Sequence, residues 1–380
     1  MIIRTKEIYS DGYQLTYKDI IVEGDRIIDV VNSSDTMSDL DLSAYKILPG
    51  FIDIHAHGAM GYDVMDATPR ALAAISKFKL ARGCTAYCPT TITSRRERTI
   101  AAVENIRRAQ DVGSRVSSGA RIIGAFLEGP YINPMYRGAH PEKHIKKVSL
   151  HEMSQLFDIA QGSIVSLAVA PELPKALDAI REWSAHGINV RMGHTAATYE
   201  EAVKGIEAGA NVGIHTYNAM SGFLHRSPGM VGAIMNSDKI YAELIADFVH
   251  THVAAARILF KVKGAGKIIL VTDAMNATGM PDGMYKLGET DAIVKDGIAR
   301  TPNGALAGST LTMQKAVCNM RAIGATFEDI SLMSSANAAK ALGIFNDTGS
   351  IEPGKRADFV AVDEEVNVRG VMLGGKMLEF

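Results

Sequence analysis

Two histidines one residue apart are the first side chains in this 380-residue chain whose types and spacing could do chemistry. They are His55 and His57, in the stretch Gly50-Phe51-Ile52-Asp53-Ile54-His55-Ala56-His57-Gly58. An apolar run from Ile47 to Ile54 precedes them and reads as one β-strand. Side chains two apart on a strand share a face, so two imidazole nitrogens can converge at its C-terminal end. Such a pair is half of a zinc or iron site. A bare His-x-His also fits a pair of surface histidines, so further donors decide between the two. Those donors stand in equivalent places: Glu128 after Phe126-Leu127, His194 after Arg191-Met192-Gly193, His215 after Gly213-Ile214, and Asp273 after Leu270-Val271-Thr272. Imidazoles and carboxylates together suit zinc or iron, and also accept manganese or cobalt. A divalent metal polarises a carbonyl and lowers the pKa of a bound water to about 7. A carboxylate beside it can take the proton and later hand it to a leaving amine. Asp273 is the candidate acid/base as well as a candidate ligand, and Glu128 could bridge two metals. The structural alternative for Asp273 is a helix N-cap before Ala274-Met275.

The elements that must position these residues alternate. Strand-like runs fall at 47–54, 85–89, 122–127, 164–170, 188–192, 211–214, 241–246 and 267–272. Helix-like segments fall at 71–82, 95–110, 150–160, 173–186, 199–208 and 253–262, with more at 311–323, 326–334 and 337–342. Thr68-Pro69 is a cap residue followed by proline at the first turn. Eight strands alternating with helices specify an α/β fold, a (β/α)8 TIM barrel, whose active site lies at the C-terminal mouth of the strands. Four histidines and two carboxylates then share one rim. Both ends of the chain read differently. Glu23-Gly24-Asp25 and Gly374-Gly375 are hairpin turns between short strands, so residues 1–48 and 349–380 are expected to form one small β-sandwich around a barrel of residues 49–348.

Lysine plus arginine total 40 against 42 acidic residues, so no basic field argues for nucleic acid. No run of 18 apolar residues suggests a membrane span, and the N-terminus has no apolar stretch behind a basic start. Three cysteines suggest no disulfide framework, which favours a reducing, cytoplasmic setting. Cys84 and Cys88 read as buried small residues. His144, His151, His186 and His225 lack motif support, Lys143 and Lys146-Lys147 read as a solvated loop, and 279–283 reads as a turn near the mouth.

The combination GFIDIHAHG, LEGPYINP with RGAH, GHT, HTYNAM, RSPG, LIAD with a following histidine, VTDAM with ATGMPDG, LAGSTLTM and NAAKALG resembles the N-acetylglucosamine-6-phosphate deacetylases of the metal-dependent amidohydrolase superfamily. The likeness spans nearly the whole chain. It implies hydrolysis of the N-acetyl group of a 6-phosphorylated amino sugar, as in amino-sugar catabolism, with one or two divalent ions and a homodimer. Glu128, His194 and His215 match the family's main metal ligands. His55 and His57 match a second position that some members lack, and Asp273 matches the proton donor and acceptor. His140, next to Ala139, matches a contact near the acyl group. Asn218 and Ala219 match a backbone phosphate site, Arg226 and His250 match phosphate ligands, and Arg226 is implied to reach across a dimer. Asp247 stands beside them, and Leu306, Ala307 and Gly308 match a segment lining the sugar pocket.

The chain departs from the family at Phe248, Asn276 and Met284, and Phe248 is expected to place an aromatic ring beside the phosphate and sugar contacts. These departures keep an N-acetylgalactosamine-6-phosphate substrate open. Two rival readings are another amidohydrolase acting on an N-acylated amine, and a barrel that has lost catalysis. Many relatives of the first kind bridge two metals with a carbamylated lysine after the fourth strand. Here Ala170-Pro171-Glu172 follows that strand. The second kind usually loses metal ligands, and this chain keeps the whole set.

Overall fold

Gly50 divides the run that reads as one strand. In the computed structural model, which describes residues 1–35, 37–113 and 119–379, strand Lys46–Pro49 pairs with strands of the chain termini. Strand Phe51–Ala56 pairs instead with Cys84–Thr91 in the barrel. The Gly50 N–H donates to the Asp358 carbonyl at 3.0 Å, and its own carbonyl accepts from Ser335 at 2.9 Å. A β-carbon at this position would run into the side chain of Thr85, so the crossing between the two units requires glycine.

The barrel strands follow in sequence order: Phe51–Ala56, Cys84–Thr91, Ala125–Leu127, Ile164–Val169, Asn189–Met192, Val212–Gly213, Tyr241–Ile245 and Ile268–Val271, each parallel to its neighbour. Arg121–Ile122 extends the third strand behind a break at Gly124. Closure between the last strand and the first comes from the Asp273 N–H donating to the His55 carbonyl (2.9 Å) and a parallel bridge between Ala56 and Ala274. Helices cover the outside, which explains why the strands are apolar on both faces rather than alternating. The helix ends are set by local chemistry. Thr68 caps Pro69–Leu80, and Thr198 with Glu201 forms a capping box on Tyr199–Ala208.

Two elements are absent from the strand–helix alternation read in the sequence. Helix Gly229–Asn236 buries Gly229 through Ile234 on all sides, so it carries no amphipathic stripe to announce it. A three-stranded antiparallel sheet, Gly283–Leu287, Thr290–Lys295 and Ile298–Arg300, lies between the last barrel strand and helix Met313–Ala322. Its Asp296-Gly297 turn is a strong hairpin signal in its own right. The sheet packs Leu287, Ala292 and Val294 against Met65, Ile92 and Met275. Glu289 at its tip meets Arg98, Lys143 and His144 at 3.2–3.3 Å, so the histidine and lysine left without a role in the sequence anchor it. Slight burial works against ionisation of Glu289, but Lys143, His144 and Arg98 outweigh it and hold the carboxyl at about 2.

The terminal strands form one eight-stranded sheet. It folds over its own core of Ile3, Ile8, Ile20, Ile27, Ile47, Phe359 and Met372. Its two extreme hairpins meet, with the Gly375 amide on the Ala357 carbonyl beside the Gly24 turn, which makes the sheet the sandwich expected of the two ends. Among the described residues, no helix is long and apolar enough to cross a membrane.

Candidate metal centre and active-site cleft

His55, His57, Glu128, His194, His215 and Asp273 are all buried and converge at the C-terminal mouth of the barrel. They form two groups whose donor atoms lie within 4.8 Å of one another, His55–His57–Asp273 and Glu128–His194–His215. Glu128 stands between the groups. Its Oε1 lies 3.1 Å from His194 Nε2, 3.2 Å from His215 Nε2 and 3.4 Å from His55 Nε2. Its Oε2 lies 3.1 Å from His57 Nε2. Asp273 Oδ1 is 3.2 Å from His57 Nε2 and 3.5 Å from His55 Nε2.

The backbone aims these side chains. His194, His215 and Asp273 each follow a strand end with a left-handed φ of 47°, 29° and 49°. That region costs a non-glycine residue roughly 1–2 kcal/mol. Strain of this sort collects where a side chain must be re-aimed for function. Asp53 ties the first strand to the last beneath the site. Its carboxylate accepts from the Thr272 hydroxyl (2.6 Å) and from the buried Lys79 ammonium (2.5 Å).

The outer nitrogens show why the inner ones fit a cation. His57 Nδ1 faces the Thr90 carbonyl, His194 Nδ1 the Tyr136 carbonyl and His215 Nδ1 the Asn218 carbonyl, at 2.7–3.1 Å. A carbonyl only accepts, so in the neutral rings each proton sits on Nδ1 and each Nε2 presents a lone pair inward. His55 Nδ1 faces a carboxylate oxygen of Glu243 at 3.0 Å to the same effect. The lone pairs of His194 and His215 then confront each other at 3.1 Å, next to a carboxylate oxygen. His55 Nε2 is buried with no hydrogen-bond partner. A divalent metal supplies the positive charge that this donor set lacks.

Without that ion, protons must take its place. Burial opposes charging of His55, yet Glu128, Asp273 and Glu243 raise its pKa well above the usual value. For His57 the same contest against Asp273 and Glu128 ends at about 9. Burial favours the neutral carboxyls, but His55 and its neighbours hold Glu128 well below the carboxylate range, and His55 and His57 hold Asp273 at about 2. His140 behaves oppositely: burial and the neighbouring His194 push it down to about 4. Its Nδ1 accepts from the Thr93 N–H (3.3 Å) and lies 2.8 Å from the Thr93 hydroxyl, so the neutral ring carries its proton on Nε2, which faces Glu128 Oε2 at 3.4 Å in a side chain that lines the cleft.

A cleft of about 330 Å³ opens over the cluster. Ala139, His140, Asn218, Ala219, His250, Leu306 and Gly308 line it as the sequence implied, and Ile92, Met135, Tyr136 and Leu287 add walls that no motif announced. Other expected contacts sit elsewhere. Ala307 is fully buried, and its N–H donates to the Ala299 carbonyl. The Asn218 N–H is engaged by the His215 carbonyl at 2.9 Å, so an anion cradle of the Asn218 and Ala219 amides rests on Ala219. Asp247 has both carboxylate oxygens occupied within its own loop. Oδ2 takes His250 Nδ1 at 2.6 Å, and Oδ1 takes the amides of Val249 and His250 at 2.8 Å each. It therefore orients His250. Phe248, at a left-handed φ of 63°, is half-buried against the main core and does not line the cleft where it was expected. Met284 is 80% exposed on the three-stranded sheet. Arg226 is exposed on the loop that also exposes Phe223 and Leu224, outside this cleft.

Sequence reasoning missed Glu243 and Arg191, an ion pair at 2.8 Å with both side chains wholly buried. The signal was present. Each is a charged residue inside an apolar barrel strand, where burial requires a partner.

Residues 47–378 match the model of the amidohydrolase family. The chain is 38% identical over 363 residues to the N-acetylglucosamine-6-phosphate deacetylase of Vibrio furnissii, covering 94% of this chain and 90% of the relative. It is also 38% identical over 378 residues to the N-acetylgalactosamine-6-phosphate deacetylase of Escherichia coli O157:H7, covering 99% and 97%. A mutant N-acetyl-D-glucosamine-6-phosphate deacetylase from Mycobacterium smegmatis, solved in complex with N-acetyl-D-glucosamine-6-phosphate, superposes with a TM-score of 0.93 at 30% identity, covering 100% of this chain and 99% of that one.

Proposed function

The chain belongs to the amidohydrolase family, within it to the N-acetylglucosamine-6-phosphate deacetylases, and from that premise we propose that it hydrolyses N-acetylglucosamine-6-phosphate to acetate and glucosamine-6-phosphate. The observation that carries this reading is the meeting of an ionised carboxylate, Asp273, and a neutral N–H donor, His140, at one metal-ready cluster in one cleft.

Zinc or iron, in one or two ions, suits the donors Glu128, His194 and His215 and the second group of His55, His57 and Asp273. When bound, the metal supplies Lewis acidity towards the acetamido carbonyl and makes water acidic enough to attack near neutral pH. The protein's own residues do the rest. Asp273 accepts a proton from the attacking water as oxygen bonds to the carbonyl carbon. His140 Nε2–H donates to the oxygen on which negative charge collects, a contribution whose removal typically costs about 10²–10³ in rate. Asp273 returns the proton to nitrogen as the C–N bond breaks, leaving acetate and the amine. Remote from the reacting atoms, His250 and the Ala219 amide hold the phosphate, and that binding energy orients the amide. Arg226 reaches the same phosphate in a partner's cleft, which makes the working unit a homodimer. Three free cysteines and a phosphorylated substrate support a cytoplasmic setting.

The galacto isomer is the second reading, favoured by the 38% identity to the Escherichia coli relative over nearly the whole of both chains. Acetate release by the metal-loaded protein from the gluco isomer, the galacto isomer and unphosphorylated N-acetylglucosamine decides between them. Turnover that depends on the phosphate and favours the gluco isomer is the expected result. A preference for the galacto isomer transfers the assignment to it, and no release from any of the three refutes the proposal.

A further inference from the structure

Three of the four inward-facing histidines have their outer nitrogen fixed by a backbone carbonyl, which no substitution at a neighbouring side chain removes. His55 is the exception. Its Nδ1 faces Glu243 Oε2 at 3.0 Å, and the Glu243 side chain comes from the middle of strand Tyr241–Ile245. The same oxygen accepts the His215 N–H at 3.1 Å. Glu243 Oε1 takes Arg191 Nη1 at 2.8 Å. Arg191 is held in turn by Asn189 Oδ1 (2.8 Å) and the Ile54 carbonyl (2.9 Å), and its guanidinium lies 4.0 Å from the centroid of the Phe126 ring, which also meets the His55 ring edge-to-face at 5.0 Å.

Resting on the metal site proposed above, we infer that Glu243, backed by Arg191, is a positioning residue that holds His55 with its proton on Nδ1 and so sets the metal affinity of the His55–His57–Asp273 group. Arg191 keeps Glu243 an acceptor: it neutralises the carboxylate without giving it a proton. Glu243 is no ligand itself, since one oxygen faces the back of His55 and the other the guanidinium. Its contact with the other group is a single backbone amide, and the side-chain orientations of His194 and His215 rest on carbonyls instead. The consequence is an asymmetric centre in which one group depends on a buried side chain and the other does not.

Cobalt(II) titrated into metal-free protein against a competing chelator, read by its visible absorption, tests this in three chains: wild type, E243Q and the paired R191M/E243L. Loss of an outer partner of a ligating histidine typically weakens metal binding 10- to 100-fold. One of the two binding steps is expected to loosen by that factor in both variants, while the other moves by less than about threefold. A merely structural ion pair behaves differently. Removing both charges together would then restore wild-type affinity, and that result overturns the inference. Equal loosening of both steps, or no loosening in E243Q, overturns it too. A wild-type chain that takes up no cobalt refutes the metal site itself, a separate failure. One measurement needs no variant to fold. Nitrogen-15 histidine spectra of the metal-loaded wild type are expected to show the His55 proton on Nδ1, and a proton on Nε2 contradicts the inference.

Discussion

Replacing Asp273 with asparagine separates proton transfer from metal binding. Asparagine keeps the shape and can keep an oxygen where Oδ1 now stands, 3.2 Å from His57 Nε2 and 3.5 Å from His55 Nε2. It cannot accept a proton from water near neutral pH. In the metal-free chain the charged His55 and His57 outweigh its burial and hold the native carboxyl at about 2, and a bound cation in their place would likewise favour the carboxylate that accepts the proton. A positioned acid/base contributes typically about 10²–10⁴ in rate. Asp273 serves both transfers, to the base and back to the amine, so D273N is expected at the upper end, about 10⁴ down in kcat, or roughly 5 kcal/mol. Glu128, His194 and His215 are untouched, so at most one ion is lost. Substrate affinity is expected within about threefold of wild type, since His250 and Ala219 keep their positions. Acetate release, metal analysis and calorimetric titration with N-acetylglucosamine-6-phosphate on one preparation supply the three readouts. A D273N protein with full metal and kcat within tenfold of wild type refutes the assignment. Loss of every ion would instead make Asp273 essential as a ligand.

H140A should lose about 10²–10³ in kcat with metal content unchanged, and because His140 is held near 4, kcat should show no titration of this ring between pH 5 and 8; unchanged kcat would remove His140 from the mechanism. The metal-free protein should lose stability as pH rises from the ordinary histidine value of about 6.5 through the raised value of His57, about 9. The sign follows from a folded state that binds the proton more tightly than the unfolded one, and the loss is on the order of 3 kcal/mol. Thermal melts should show a larger drop in metal-free wild type than in metal-free H57N, where the raised pKa of His55 still contributes, and a melting temperature that climbs over this window contradicts it. If Arg226 acts on a partner's phosphate, mixing inactive R226A with inactive D273N should restore about a quarter of wild-type activity, since half the dimers are hybrids with one intact site each; mixtures that stay inactive argue against action across a dimer. G50A should cost about 1–3 kcal/mol through collision with Thr85, measurable by chemical denaturation and relieved in G50A/T85A; an unchanged midpoint would mean the crossing tolerates a side chain.

By itself the sequence determined the barrel, the residue types of the candidate site and their place. Strand and helix periods come from local backbone geometry, and a barrel puts every strand's C-terminal end on one rim, so His55, His57, Glu128, His194, His215 and Asp273 could be gathered from position alone. The cap at Thr68 was legible because it acts over three residues. Only the tertiary structure decided the rest. The break at Gly50 depends on Thr85, 35 residues away, and the helix at Gly229–Asn236 is buried all round, so neither leaves a periodic trace. Asp247 and Ala307 stand in motifs that imply substrate contact, yet hydrogen bonds and burial commit them elsewhere. Phe248 packs against the core, a placement that its residue type does not announce. Glu243 and Arg191 are 52 residues apart in the chain, and only folding brings them together behind His55. A charged residue inside an apolar strand told of a buried partner. Which partner, and which histidine it holds, is a matter of distances between strands, and those exist only once the barrel has closed.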